Sequence, residues 1–164
     1  MKNRLIILIT MCVAVMMCLP ACNKKSGGVD VDMNKMREQM LAAGESLPEM
    51  TVVSSGDEDA KESFPYLSKI DYDKVADYFL TFSAEGKADE IAVIELKSKS
   101  DMAEAKSSFE EHLKKRHNTY EQYEPEEVPR VDAAKIVIKE QYIALIICDN
   151  DDNVKSAFLK MFEN

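Results

Sequence analysis

Short apolar runs and helical periodicity alternate through the second half of the chain. From residue 75 onward there are two pairs of apolar runs, and each pair precedes a segment in which apolar side chains recur every three or four residues. Apolar runs bounded by turn residues predict strands, and the periodic segments predict helices. The predicted strands are residues 75–82, 91–96, 134–138 and 142–148, and the predicted helices are residues 101–120 and the segment after 152.

Local signals define how these segments connect. The run at 75–82 also fits helical spacing, but its aromatic and threonine residues favour a strand. Gly86 predicts the turn of a hairpin, and residues 139–141 predict a second one. Asp101 and Glu104 have the spacing of a capping box. The run at 142–148 has no polar alternation, which predicts a central strand buried on both faces.

A helix is also predicted before the first strand pair, from an N-cap at Asp32 to a stop at Gly44. Met33, Met36 and Met40 fall on one face of it. Thioether side chains either fill a core or form an adaptable binding surface, and the pattern leaves both alternatives open. After this helix we expect an extended piece at Met50–Val53 and a long irregular connection to residue 73, with one helical turn near Ala60.

The order of these elements predicts an α+β fold. Strand, strand, helix, strand, strand, helix follow one another after the N-terminal helix, giving a ββαββα core. We expect a single antiparallel sheet of about four to five strands with the helices packed on one face, because this arrangement buries every apolar stripe. Residues 32–164 are predicted to form this domain.

The first 21 residues have the layout of a secretory signal peptide. Lys2 and Arg4 precede an apolar run from Leu5 to Leu19. A transmembrane helix needs about 20 apolar residues to cross the bilayer, and this run is shorter and is followed by Pro20. We therefore predict residues 1–21 as a signal peptide and residues 22–31 as a flexible tether.

The end of this signal resembles the lipobox of bacterial lipoproteins in Leu19-Pro20-Ala21-Cys22. The resemblance implies cleavage before Cys22 and attachment of a diacylglyceryl group to its thiol, although Pro20 departs from the usual small residue. Two acyl chains give stable membrane attachment where one is marginal. We expect a lipid-anchored protein on the extracytoplasmic side of the cell membrane, with plain secretion as the alternative.

Charge excludes one class of partner. The chain has 21 basic and 30 acidic residues, and loss of Lys2 and Arg4 with the signal leaves 19 against 30, a formal charge of about −11. Nucleic-acid binders carry a basic face instead. No nucleic-acid partner is expected.

Candidate chemistry in the mature chain is sparse. Cys148 would be the one thiol left after acylation, and the alternatives are a buried small side chain or a reactive group. His112 and His117 are five residues apart on a helix and therefore face different ways. Asp149 begins a calcium-loop pattern that fails at the glycine and closing-carboxylate positions, so helix-start carboxylates are the better interpretation. We predict no catalytic residue, no metal ligand and no cofactor.

The chain resembles small bacterial lipoproteins grouped as domain of unknown function 4358. The resemblance spans most of residues 46–162 and rests on LPEM (47–50), SAEGKADEIAVIELKS (83–98), FEEHLKKRHNTYEQYEPEEV (109–128) and AAKIVIKEQYIALIICDND (133–151). It implies a shared fold and an extracytoplasmic location, and it supplies no activity or site residues.

Two functions of different kinds follow as expectations. The first is a non-enzymatic, lipid-anchored module that binds another envelope component, most simply a protein. The alternative is a small-ligand or peptide-binding accessory lipoprotein, for example of a transport system, which a pocket lined by Tyr78, Phe79 or Tyr142 would favour. An enzyme comes third, because it would require a deep cleft with convergent ionisable groups.

Overall fold

A computed structural model describes residues 31–163. Five α-helices and five strands make up its regular structure, with four short 3₁₀ turns between them. The helices are α1 (Met33–Ala43), α2 (Ala60–Ser63), α3 (Met102–Tyr123), α4 (Val128–Asp132) and α5 (Asp151–Lys160). The strands are β1 (Met50–Ser54), β2 (Val75–Ser83), β3 (Glu90–Leu96), β4 (Lys135–Lys139) and β5 (Tyr142–Ile147).

The five strands form one antiparallel sheet in the order β1-β2-β3-β5-β4. β2 and β3 make the first predicted hairpin, and Gly86 takes the left-handed conformation in its turn, with a φ of 82°. β4 and β5 make the second predicted hairpin, with Glu140 at a φ of 55°. The α+β fold with a single antiparallel sheet is therefore confirmed, and β1 and β4 are its edges.

The prediction that the helices pack on one face is wrong, because both faces of the sheet are covered. On one face Ile94 and Leu145 pack in a core that includes Phe109 of α3. On the other face α1 and α5 cover a second core. The physical reason lies in β3 and β5, which are buried at every position. Successive side chains of a strand point to opposite faces, so a fully apolar central strand needs a layer on each side.

The methionine face of α1 packs on the sheet. Met36 and Met40 are fully buried in the second core with Phe79 and Phe158. The stripe therefore fills the core and is not exposed as a binding surface. Val31, which the sequence places in the tether, is buried in the same core, so the packed chain begins before residue 32.

The helix starts follow the predictions in one case and depart from them in another. The Asp32 carboxylate accepts hydrogen bonds from two amides of α1 at 3.0 Å, as expected of an N-cap. The capping box at Asp101 is wrong, because a 3₁₀ turn from Lys99 to Asp101 already gives Asp101 a helical backbone. The Asp101 carboxylate instead lies 3.5 Å from Lys74 Nζ, which also donates to Glu104 at 2.5 Å.

Candidate functional site

A cavity of about 450 Å³ lies between α3 and the β1–β2 margin of the sheet. It opens on the same face of the sheet as α2 and α3. We call it the β1–β2 cavity. Its lining residues are Val53, Ser63, Tyr66, Leu80, Phe82, Glu90, His112 and Arg116.

The floor of the β1–β2 cavity is apolar. Leu80 and Phe82 are two residues apart on β2 and therefore share a face. Val53 of β1 pairs directly with Leu80 in the antiparallel register, which places it on the same face. Tyr66 lies in the 3₁₀ turn after α2, and its side chain is 80% exposed at the rim. An apolar part of a ligand would thus meet three aliphatic or aromatic side chains.

The opposite wall is charged. His112 and Arg116 are four residues apart on α3, so they share a face of the helix. Both reach Glu90 at the start of β3: His112 Nε2 lies 2.8 Å from Glu90 Oε1, and Arg116 Nε lies 3.2 Å from Glu90 Oε2. The Glu90 side chain is only 2% exposed. A buried carboxylate is tolerable here because two nitrogen groups face it.

Arg116 also holds α3 to the β2–β3 turn. Its Nη2 donates to the Ala88 carbonyl at 3.1 Å and to the Tyr120 hydroxyl at 3.2 Å. The Tyr120 hydroxyl in turn shares its one proton between the carbonyls of Gly86 and Lys87, which lie 3.0 and 2.7 Å away. Burial raises the pKa of Tyr120 above its usual value, so the phenol stays protonated and acts as this donor. These hydrogen bonds hold the Arg116 side chain in its position on the charged wall.

A second ionic group, only partly buried, lies beyond the C-terminal end of α3 and does not line the cavity. Arg130 of α4 pairs with Asp89 at 3.2 Å, with Asp149 at 3.0 Å and with Glu127. Glu127 also accepts a hydrogen bond from the Ala88 amide at 2.9 Å. Burial raises the pKa of Asp89 although Arg130 opposes the shift. This group fastens α4 to the strand ends.

The two histidines point to different partners, as predicted. His117 Nδ1 lies 2.7 Å from Asp132 Oδ1, whereas His112 faces Glu90. Across residues 31–163, no group of three histidine, cysteine, aspartate or glutamate side chains is arranged to hold a metal ion. Asp151 instead pairs with Lys135 at 2.8 Å.

The other residues singled out from the sequence lie elsewhere. Leu19, Pro20, Ala21 and Cys22 fall outside the described residues. Cys148 is buried, and desolvation raises its pKa to about 12.

The aromatic residues expected to line a pocket are core residues. Tyr78, Phe79 and Tyr142 are each at most 1% exposed. Tyr78 and Phe79 border a smaller cavity of about 140 Å³ that Asp77 also lines.

Sequence reasoning missed the β1–β2 cavity and its charged wall. One usable signal was present: Phe109, His112 and Arg116 recur at helical spacing, so an ionisable pair continues the apolar face of α3. A second was Glu90, an acidic residue directly before a run of apolar side chains. Neither signal alone indicates that the three groups meet.

A family model described as "Domain of unknown function (DUF4358)" matches residues 51–148, which is more than half of the chain. The chain belongs to this family. The DUF4358 segment contains α2, α3, α4 and the sheet apart from Met50, while α1 and α5 lie outside it. All eight residues that line the β1–β2 cavity lie within the matched range. No curated protein and no solved structure matches the chain.

None of the helices within residues 31–163 has the length and apolar character needed to cross a bilayer.

Proposed function

We propose that this DUF4358 protein is a lipid-anchored, non-enzymatic binding module on the extracytoplasmic side of a cell membrane, and that it binds its ligand in the β1–β2 cavity. The cavity carries the proposal: its volume of about 450 Å³ falls in the range of roughly 300–1,000 Å³ that is usual for ligand sites. It also has their usual chemistry, an apolar floor with a few convergent polar groups.

Binding is favoured over catalysis by how the polar groups are engaged. Glu90 lies against both His112 and Arg116, so the polar atoms of the three side chains are already engaged with one another. Ser63 also lines the cavity, but its hydroxyl donates to the Asp59 carboxylate at 3.1 Å and is therefore not presented to His112 as a nucleophile. Such a wall can orient a polar end of a ligand while the floor holds its apolar part.

The two ligand classes expected from the sequence both fit this cavity. One is a segment of another envelope protein, and the other is a small molecule or peptide that an accessory lipoprotein would deliver to a transport system. In either case the bound part must be partly apolar, because the floor is formed by Val53, Leu80 and Phe82.

The cavity proposal is tested by filling the cavity. A small-molecule and peptide library is screened by thermal shift, and hits are measured again on Val53→Phe and Val52→Phe. Val53 lines the cavity, whereas Val52 points to the opposite face of the same strand. A ligand at about 100 times its Kd stabilises the protein by about 2.7 kcal/mol. We expect Val53→Phe to lose this stabilisation and Val52→Phe to keep it.

Stabilisation that survives in Val53→Phe would place binding elsewhere. A screen in which nothing stabilises the wild type would count against a ligand-binding function altogether.

The anchor proposal is tested separately by mass spectrometry of the N-terminal peptide in the bacterial host. We expect a peptide that begins at Cys22 and carries acyl chains in the wild type and in Cys18→Ser. Cys18 follows Met17 and does not have the lipobox pattern, so it is the matched control. Cys22→Ser should abolish the acylated peptide. An unmodified N-terminus in the wild type would refute the anchor.

A further inference from the structure

One edge of the sheet is open beside the β1–β2 cavity. Within residues 31–163, β1 pairs with β2 alone, and all five of its residues are at least partly exposed. On the side of the strand that pairs with β2, the Ala84 amide donates to the Glu49 carbonyl at 2.8 Å, and the Ser55 amide donates to the Tyr78 carbonyl at 3.0 Å. Hydrogen-bonding direction alternates along an antiparallel strand. The odd-numbered residues of β1 therefore face β2, and the even-numbered ones face outward.

Ser54 supports this assignment and closes one end of the edge. Its amide donates to the Asp57 carboxylate at 2.7 Å, and its carbonyl accepts from the Asp57 amide at 3.1 Å. The backbone groups of Met50 and Val52 point outward in the same way by the alternation. They are the groups that another strand can pair with.

The β4 edge of the sheet carries charged side chains, whereas the β1 edge carries none. β4 begins and ends with lysine, and Lys135 pairs with Asp151 and Asp152 at 2.8 and 2.6 Å. Charged side chains on an edge strand discourage pairing with another chain. β1 has the sequence MTVVS, which contains neither charge nor proline. Its register with β2 is regular over all five residue pairs, so no bulge turns it away.

The segments that flank β1 are acidic. Between residues 45 and 63, six acidic side chains stand against the single base Lys61, and all seven are exposed. The acidic residues are Glu45, Glu49, Asp57, Glu58, Asp59 and Glu62. An approaching strand with basic side chains is attracted by this charge, and an acidic one is repelled. A second copy of the chain is disfavoured as the occupant, because it would bring the same acidic segments to the edge.

We propose that β1 binds an extended segment of an envelope protein that alternates basic and apolar residues and adds to the sheet as a sixth strand. The backbone of Met50 and Val52 pairs with the segment. Neighbouring strands lie about 4.8 Å apart with their side chains in register, so alternate apolar side chains of the segment lie beside Val53 over the cavity floor. Backbone pairing of this kind supplies affinity, and the pockets beside it supply specificity. The inference rests on the proposed binding function and specifies its ligand.

The test uses the full-length chain in detergent and a fluorescein-labelled seven-residue peptide of alternating lysine and valine, with binding read by fluorescence polarisation. The matched peptides are a glutamate–valine version and a lysine–valine version methylated on alternate backbone nitrogens. We expect the lysine–valine peptide to bind. The glutamate–valine peptide should bind at least about tenfold more weakly because of charge repulsion, and the methylated peptide at least about tenfold more weakly because it lacks backbone hydrogen bonds.

The protein variants are Val52→Pro and Val52→Thr. Proline at 52 removes an outward amide and leaves the β1–β2 ladder intact, which is the position where proline is tolerated on an edge strand. Circular dichroism and thermal melting check that both variants are folded. We expect Val52→Pro to weaken binding of the lysine–valine peptide about tenfold or more and Val52→Thr to keep it.

The remaining outcomes separate this inference from the proposed function. Equal binding by Val52→Pro and Val52→Thr, with loss only in Val53→Phe, would overturn strand addition and keep the cavity as a binding site. Small molecules that stabilise the wild type while no peptide binds would have the same meaning. No peptide binding together with no stabilising ligand would overturn both.

Discussion

Replacing Arg116 with methionine should expose how much the charged wall of the β1–β2 cavity depends on its ion pair. The variant removes the guanidinium group that lies 3.2 Å from the Glu90 carboxylate, which is 2% exposed. It also removes the donors to the Ala88 carbonyl and the Tyr120 hydroxyl. Taking away one partner of a buried ion pair typically costs about 3–5 kcal/mol. Since His112 still faces Glu90 and the Arg116 side chain is 20% exposed, we expect about 3 kcal/mol, the lower end.

Glu90→Gln gives the other side of a double-mutant cycle. Glutamine has nearly the same shape, and the freed Arg116 keeps its bonds to Ala88 and Tyr120, so the expected loss is about 1–2 kcal/mol. The double variant should cost less than the two single losses together. Groups in direct contact usually couple by about 0.5–3 kcal/mol, and a buried pair belongs in the upper half of that range.

The assay is urea unfolding followed by circular dichroism, with Lys106→Met as the control. Lys106 pairs with Glu110 on an exposed part of the same helix, where ion pairs contribute little. If Arg116→Met were no less stable than Lys106→Met, Glu90 would not depend on Arg116. If the single losses simply added up, the groups would not act as one cluster.

Three further predictions follow from the described residues. Burial raises the pKa of Cys148 to about 12, so its thiol should react with maleimide at pH 8 only when urea unfolds the protein. The mass of the peptide that contains Cys148 measures the labelling, and rapid labelling in native buffer would contradict its burial. Burial raises the pKa of Asp89 above its ordinary value of 3.8, so the unfolded chain loses this proton first and the wild type loses stability as pH rises from about 3.8 to the folded-state pKa. The stability of Asp89→Asn relative to the wild type, from urea midpoints at several pH values, should therefore rise with pH above about 3.8, and a difference that does not change with pH would refute the shift. Gly86→Ala should lower the free energy of unfolding by about 1 kcal/mol in the same assay, because the φ of 82° at Gly86 disfavours a Cβ. Gly56→Ala, at a position without a positive φ, should leave the stability nearly unchanged, and equal effects of the two changes would show that backbone strain is not the cause.

Most of the sheet was predictable because local patterns determine strands. The apolar runs located β2, β3, β4 and β5 to within one or two residues, and the turn signals paired them correctly. The second helical layer was not predictable in the same way. Val93 and Ile94 are equally apolar in the sequence, yet they point into different cores. The predicted burial of residues 142–148 on both faces already required cover on each side of the sheet, but the sequence pattern does not identify which helices supply it.

The candidate site depended on distances that the sequence does not contain. Glu90 and His112 are 22 residues apart, and their contact requires α3 to cross β3 at one particular position. Helical spacing predicts that His112 and Arg116 share a face, but it does not identify the carboxylate that they meet. The position of β1 at an edge of the sheet could not be predicted either, because the local sequence MTVVS does not determine the order of the strands.

The β1–β2 cavity exists because the layer above that part of the sheet is short. α2 has only four residues and lies over the part of β2 where the Tyr78 hydroxyl donates to the Ala60 carbonyl at 2.7 Å. Leu80 and Phe82, farther along β2, therefore lie under the opening. Filling it by Val53→Phe should bury more apolar surface at about 25 cal/mol per Å² and raise stability. The same change should remove ligand binding. If Val53→Phe raises the stability of the free protein and abolishes ligand binding, the cavity is a ligand site. If it raises the stability and leaves binding unchanged, the cavity is an ordinary packing defect.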